Sequence, residues 1–393
     1  MQGNVGRLAA AQALAGANTT VIYATAAIIG NTLAPEPALA TMPISVFVVG
    51  MAASTLPAGA VAQRYGRRVS FLAGNACGVL VGLLSALAIW LGSFWLFCFA
   101  MLFGGAYAAV VLSFRFAAAE CVAAEHRARA LSAVMAAGVV AGVLGPQLVT
   151  YTMDLWPART FVATYIAQAA VALFSAFILT GVDLPVPRRT ERPATGRPLG
   201  VIARQPAFIV AVVCGIISYT LMNFMMTSAP LAMRLCGLPQ EAANLGLQWH
   251  VIGMYAPSFF TGRLIGRFGA PRVVLAGLLL IAGAAAAGLG GLTVTHFWAS
   301  LILLGLGWNF GFVGASAMVL ETHRPDEKNK VQALNDFLVF GTMVAGSFAS
   351  GSVLALHGWH VVCLIAFPPL AVALIALGLR GRSGAPQADA GRA

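Results

Sequence analysis

A chain of 393 residues that is 60% hydrophobic and only 9% charged is not a soluble globular protein, where roughly a quarter of the residues carry charge. Its length holds about a dozen apolar spans of ~20 residues joined by short loops. The formal net charge of +11 does not point to nucleic acid: of the 23 Lys and Arg, all but Arg159 and Arg234 fall on one side of the predicted membrane. That is the positive-inside distribution, which orients membrane proteins.

Helix one is predicted from about Leu8 to Leu33, as a span and not a cleaved signal peptide. Its Asn18, Thr19, Thr20 and Tyr23 form a polar stripe that must face protein or water. Helix two runs over Thr41–Ala62 and helix three over Val69–Leu91, separated by Gln63-Arg64-Tyr65-Gly66-Arg67-Arg68. Helix four, Phe94–Cys121, ends with Arg115 and Glu120, whose place near the cytoplasmic end favours snorkelling and packing. Helix five covers Ala130–Tyr151 and helix six Thr160–Val182. The polar stretch Asp183–Pro206, with five arginines and five prolines, reads as a cytoplasmic linker. Helices seven (Ala207–Ala232) and eight (Glu241–Gly262) follow, then the loop to Arg272 with Arg267 in it. Helices nine (Val273–Leu292), ten (Phe297–Leu320), eleven (Val331–Leu356) and twelve (Trp359–Leu379) complete the set, and a short basic tail reads as disordered.

The expected fold is an all-α membrane protein of twelve spans in two six-helix repeats, with both termini cytoplasmic. Its parts are a bundle over 1–182, a linker over 183–206, a second bundle over 207–379 and a tail over 380–393. The repeat is visible in the residues: Gly59…Arg64-Tyr65-Gly66 returns as Gly262…Arg267-Phe268-Gly269, and Glu120 at the end of helix four returns as Glu321 at the end of helix ten. Parallel repeats of this kind place substrate near the bilayer midplane, between the halves. Six cysteines without a C-x-x-C pair read as small buried residues and not as a disulfide framework. No nucleophile–base pair stands out, so the chain is not read as an enzyme and needs no cofactor. The expected partners are the lipid bilayer and a small solute; the expected state is a monomer in the bacterial inner membrane.

Helices seven and eight carry the sharpest chemical signal. Met222-x-x-x-Met226 on one and His250-x-x-x-Met254 on the other each put two soft donors on one helix face. Met233 continues the stripe toward the outer mouth. Thioether and imidazole suit a cuprous ion and not the hard cations that need oxygen, so these five residues form a candidate path for copper as transported substrate. A lone methionine in a span is ordinarily packing filler, whereas an intramembrane histidine is costly without a role. The same region also fits a planar organic molecule. Trp249, Trp308, Phe310 and Phe337 offer stacking surfaces, and Gln248, Asn223, Asn309 and Asn335 offer edges to read.

Gly-x-x-x-Gln63-Arg64-Tyr65-Gly66-Arg67-Arg68 resembles the signature loop of the major facilitator superfamily, and the weaker copy at Arg267 resembles its duplicate. The resemblance implies alternating access with Arg64, Gly66, Arg67, Arg68 and Arg267 in the cytoplasmic gate. The family usually has Asp where this chain has Gln63. Asp336 is expected either to partner one of the arginines Arg64, Arg67 and Arg68, or to be a helix-start acid favoured by the dipole. The Met222/Met226 and His250/Met254 pairs look like those of the CcoA-like copper importers of the superfamily. The likeness implies inward copper transport that supplies cytochrome oxidase assembly. That group has close relatives resembling riboflavin importers, which keeps a flavin as the alternative substrate. A partial match of Gly142-Val-Leu-Gly145-Pro146 to the helix-five signature of drug exporters carries less weight.

Overall fold

The computed structural model describes residues 2–36, 39, 42–184 and 196–383. The expected linker residues Arg188, Arg189 and Arg192, and tail residues 384–393, lie outside them. Apolar composition leaves the backbone no option in lipid but to bond to itself, and among the described residues the chain is helical with no strand. The spans are α1 (Gln2–Leu33), α2 (Met42–Tyr65), α3 (Arg67–Leu91), α4 (Phe94–Glu120), α5 (Ala124–Thr152) and α6 (Val162–Thr180). A short helix, Leu199–Ala203, precedes α7 (Pro206–Leu235). Then come α8 in two pieces (Gln240–Tyr255 and Ser258–Phe268), α9 (Ala270–Leu289), α10 (Val294–Leu320), α11 (Lys328–Leu354) and α12 (Leu356–Leu379). Eleven of these are long and apolar enough to cross a membrane in one piece; α8 is the twelfth crossing.

Pro257 explains the break in α8. Proline lacks the N–H that would continue the ladder and its ring crowds the preceding turn. The carbonyls freed at such a break need other donors. Asn309 of α10 supplies one: its Nδ2 donates to the Met254 carbonyl and to Ser258 Oγ, each at 2.6 Å, while its Oδ1 accepts from Thr261 Oγ1 at 2.7 Å. Asn309 opens a π-helical segment, Asn309–Val313. Such bulges often sit at functional places.

Two loops are much tighter than the sequence reading. The expected loop between helices two and three shrinks to Gly66, with φ 90° and ψ 158°. The duplicate is Gly269, with φ 85° and ψ 149°. A side chain is strained in this region, so glycine is the residue that turns the chain within one position. The shared backbone supports the repeat inferred from residue identities.

α2 packs on α4, α3 on α4 and α6, α1 on α5 and α6; α7 packs on α11, and α10 on α9 and the outer piece of α8. The first six helices meet the last six mainly along α2–α11 and α5–α8. At the α5–α8 seam Gly138 faces the Tyr255 ring and Gly142 faces Val251. The polar stripe of α1 is covered as expected: Asn18 is buried and its Nδ2 donates to the Gln168 carbonyl at 3.1 Å. The described cysteines are all free thiols.

Candidate functional site

The middle of the molecule is an aromatic box. Tyr219 of α7 sits edge-on to Trp308 (5.6 Å), Phe312 (4.9 Å) and Phe340 (5.5 Å). Trp308 stacks on Phe312 at 5.2 Å and meets Tyr255 of α8 at 5.7 Å. From the first six helices, Tyr23 packs on Phe47 at 5.5 Å and lies in electrostatic range of Tyr219 and Tyr255. Trp308 was legible in the sequence; Tyr219, Tyr255, Phe312 and Phe340 were not. Their one sequence signal is the i, i+4 spacing of Trp308 and Phe312, and the rest are joined only by packing between helices.

Among the buried polar atoms without partners, some stand on the helices that carry these rings. Trp308 Nε1, Asn223 Nδ2, Ser218 Oγ and His250 Nε2 are buried and find no hydrogen-bond partner. A buried polar group left unpaired costs on the order of 1–3 kcal/mol, and native proteins rarely leave one without a reason. Tyr219, Met222, Asn223 and Met226 follow one another at i, i+3, i+4 and i+7, so they form a single face of α7. The methionine stripe and the aromatic box therefore belong to one surface.

The expected ligand residues lie in two layers. α7 runs on to Leu235, beyond its expected end, and α8 begins at Gln240. At 1.5 Å per residue, Met226 and His250 lie about 14 and 15 Å below the outer helix ends, and Met222 and Met254 about 20 and 21 Å. Met222, Met233, Met254 and His250 are buried, and Met226 is half-buried. The imidazole is anchored on α10: His250 Nδ1 bonds the Leu301 carbonyl at 2.7 Å, while Gly305 lets α10 approach the backbone of His250 and Met254. With Nδ1–H donating, Nε2 keeps its lone pair, the tautomer a metal ligand uses. Among the described residues no group of three or more His, Cys, Asp or Glu is placed to hold a metal ion, so any metal here depends on thioethers.

The remaining stacking and reading candidates scatter. Trp249 is 47% exposed. It precedes Val251 by two positions, so it points roughly 160° away from the face that meets α5. Phe310 packs on Phe260 at 6.3 Å, and Phe337 is exposed. Asn309 spends its amide on the α8 break, and Asn335 donates to Asp336 at 2.9 Å.

The cytoplasmic face is tied by charge, and here the structure corrects two readings. Arg115 does not snorkel: it is wholly buried. It is also the partner of Asp336, at 2.6 Å, in place of the loop arginines. Its guanidinium further donates to Ser316 Oγ at 3.3 Å and to the Leu112 carbonyl, and lies over the Phe116 and Phe312 rings at 4.2 and 4.7 Å. Glu120 likewise does not merely snorkel. It accepts from Arg67 Nη2 at 2.5 Å and from Lys328 Nζ at 2.8 Å, and Arg67 also reaches Gln332 Oε1 at 2.5 Å. Arg64 and Arg267 are exposed and lie over the neighbouring rings of Tyr65 and Phe268, at 5.3 and 5.2 Å; Arg68 is exposed. Below this, Arg197 pairs with Glu327 at 2.7 Å. That bond is the main reason the Glu327 carboxyl sits well below the usual carboxylate range.

Comparison with known proteins agrees with this geometry. The family described as Major Facilitator Superfamily matches residues 8–257 and 237–392. A Brucella anthropi protein named riboflavin transporter RfnT is 43% identical over 389 residues, 98% of either chain. A Bacillus subtilis protein, the uncharacterized MFS-type transporter YdeG, is 28% identical over 90% of this chain and 86% of its own. Among solved structures, the human organic anion transporter TETRAN superposes with a TM-score of 0.80 at 15% identity, over 96% of this chain and 99% of that one. The Escherichia coli fucose:proton symporter does so with a TM-score of 0.75 at 14% identity, over 96% and 98%.

Proposed function

The chain belongs to the major facilitator superfamily, and we propose that it imports riboflavin, or a close planar relative, across the bacterial cytoplasmic membrane by alternating access. The observation that carries this is the 43% identity, over nearly the whole of both chains, to a protein named as a riboflavin transporter. The aromatic box supports it. An isoalloxazine ring is a large flat π-surface, and Trp308, Tyr219 and Tyr255 offer faces and edges to it. Its carbonyl oxygens and ring nitrogens would satisfy Trp308 Nε1 and Asn223 Nδ2. Bundles 1–182 and 207–379 are proposed to rock about this point, with 183–206 as the cytoplasmic linker.

Growth of a riboflavin auxotroph on limiting riboflavin tests the reading. The wild-type chain is expected to restore growth. Trp308→Ala is expected to raise the riboflavin needed about tenfold, the size of one lost aromatic contact. A wild-type chain that reaches the membrane and gives no growth advantage sinks it.

One observation favours a second reading, copper as the cargo: the His250 imidazole holds a buried, unpartnered Nε2 lone pair at the level of Met226. In that reading Met222, Met226, His250 and Met254 pass the ion inward, with Met233 at the mouth. Cellular copper uptake that falls in His250→Ala and Met222→Ala would favour it. Uptake equal to that of cells lacking the chain would remove it.

A further inference from the structure

The break in α8 is held from another helix. Asn309 of α10 is wholly buried, and its amide bonds α8 three times: Nδ2 donates to the Met254 carbonyl and to Ser258 Oγ, and Oδ1 accepts from Thr261 Oγ1. These partners straddle Pro257, one before it and two after. The Met254 bond is to main chain, and the next residue is Tyr255. The residue before Asn309 is Trp308. Tyr255 and Trp308 meet edge to face at 5.7 Å in the central box. The amide therefore ties the two backbones one residue away from each ring of that pair.

Repair of a proline site does not by itself account for this clamp. Pro57, Pro146 and Pro230 lie inside helices that run on through them, as membrane helices allow when nearby groups re-satisfy the backbone. Thr261 already returns a bond to the Pro257 carbonyl from within α8, at 2.8 Å. What Asn309 adds is a fixed distance between α8 and α10. Its side chain has a single methylene, so three short bonds leave the amide no slack. Gly253 and Gly305 bring the same two helices to backbone contact one turn before the break. Phe312, in the π-helical segment that Asn309 opens, stacks on Trp308.

We propose that Asn309 is a positioning residue of the central site: it sets the spacing and tilt at which Tyr255 and Trp308 face the solute. It acts through these two rings and does not touch the solute. The inference rests on the reading of the box as the solute site. Aromatic pairs gain only at offset or edge-on geometry, with centroids about 4.5–7 Å apart. A shift of α8 by about 1.5 Å, one carbon–carbon bond, is large on that scale.

Pro257→Ala separates this role from a merely structural one. Alanine restores the missing N–H and removes the ring that crowds the preceding turn, so the ladder of α8 can close. An amide that only repaired the break would then be dispensable, whereas one that spaces the rings would not.

The test measures riboflavin binding to the full-length chain in detergent, by quenching of flavin fluorescence, beside thermal unfolding. Asn309→Leu, close in size and without polar atoms, is expected to raise the riboflavin Kd about tenfold and to unfold earlier. Asn309→Leu/Pro257→Ala is expected to regain the stability and not the affinity, and Pro257→Ala alone to bind as wild type. Asn309→Gln, with the same polar groups and one methylene more, is expected to weaken binding as well. If Asn309→Leu does not fold, the double variant and Asn309→Gln carry the test. Affinity that returns with stability in the double variant overturns the proposal. So does Asn309→Gln binding as tight as wild type, or binding that is lost in Pro257→Ala alone. Fluorotryptophan in place of tryptophan gives a second measurement, the fluorine signal of Trp308 being the one absent in Trp308→Phe. That signal is expected to move in Tyr255→Leu, and in Asn309→Leu with or without Pro257→Ala; a signal that Asn309→Leu leaves in place overturns the proposal. A wild-type chain that binds no riboflavin would refute the substrate reading, and the fluorine signal would still decide the role of Asn309.

Discussion

The loops after α2 and after α8 have almost the same backbone and different chemistry. Both turn on a glycine of positive φ, Gly66 and Gly269, and both lay an arginine over the aromatic residue before it. The residue after the glycine differs. In the first loop it is Arg67, which holds Glu120 of α4 and Gln332 of α11. In the second it is Ala270, which is buried and holds nothing by charge. The difference continues one layer deeper. Arg115 and Ser316 each stand five residues before the acidic helix ends Glu120 and Glu321, and they touch each other, but only Arg115 carries charge. Duplication kept the turn, while the residue just after the glycine is charged in one copy and apolar in the other. The charged contacts that Arg67 and Arg115 make across this face have no symmetrical counterpart at Ala270 and Ser316.

That contrast is open to experiment. The largest effect is expected from Arg115→Ala, which strands the buried Asp336 carboxylate at a cost of about 3–5 kcal/mol. Thermal unfolding in detergent reads it, and Arg115→Ala/Asp336→Ala should regain most of the loss. A single variant as stable as wild type would show that the pair holds nothing. Next, Arg67→Ala should cost about 1.5–3 kcal/mol through its bonds to a charged partner. Arg272→Ala, in the first turn of α9, should stay within about 0.5 kcal/mol, as for ordinary surface changes. Equal losses would erase the asymmetry. Gly66→Ala and Gly269→Ala should each cost about 1–3 kcal/mol, and by similar amounts, because the backbone strain is common to both loops.

The smallest expected effect lies at the Arg197–Glu327 pair. The Glu327 carboxyl is lowered by the Arg197 bond, so its folded value lies below its unfolded value of about 4.3. Its contribution is complete above that unfolded value and fades as pH falls through the folded one. Acid should therefore lower the unfolding temperature of wild type more than that of Glu327→Gln. Parallel curves below about pH 4 would refute this.

Much of this protein was legible in the residues. Span count, sidedness and repeat follow from apolar runs of fixed length, from where the arginines fall and from a motif that recurs. Each is a local or one-dimensional property. The candidate site was legible only in part. Met222, Met226 and Asn223 share a face because helical periodicity puts them there, and periodicity can be read from spacing. Trp249 failed the same kind of reading because spacing does not say which face of α8 meets protein: packing of Gly253 and Gly305 turned α8 so that Trp249 points away. Asn309 looked like a free amide until the Pro257 break claimed it.

The sequence by itself determined an all-helical, twelve-crossing transporter with its basic face inward, because lipid imposes helix length, internal hydrogen bonding and charge sidedness on any chain. Only the tertiary structure decided which buried charges meet and which rings enclose the centre. Arg115 and Asp336 are separated by more than half the chain, and Tyr23 and Tyr219 by almost half. Contacts of that kind are set by how helices cross and rotate against one another, which no local pattern of residues encodes.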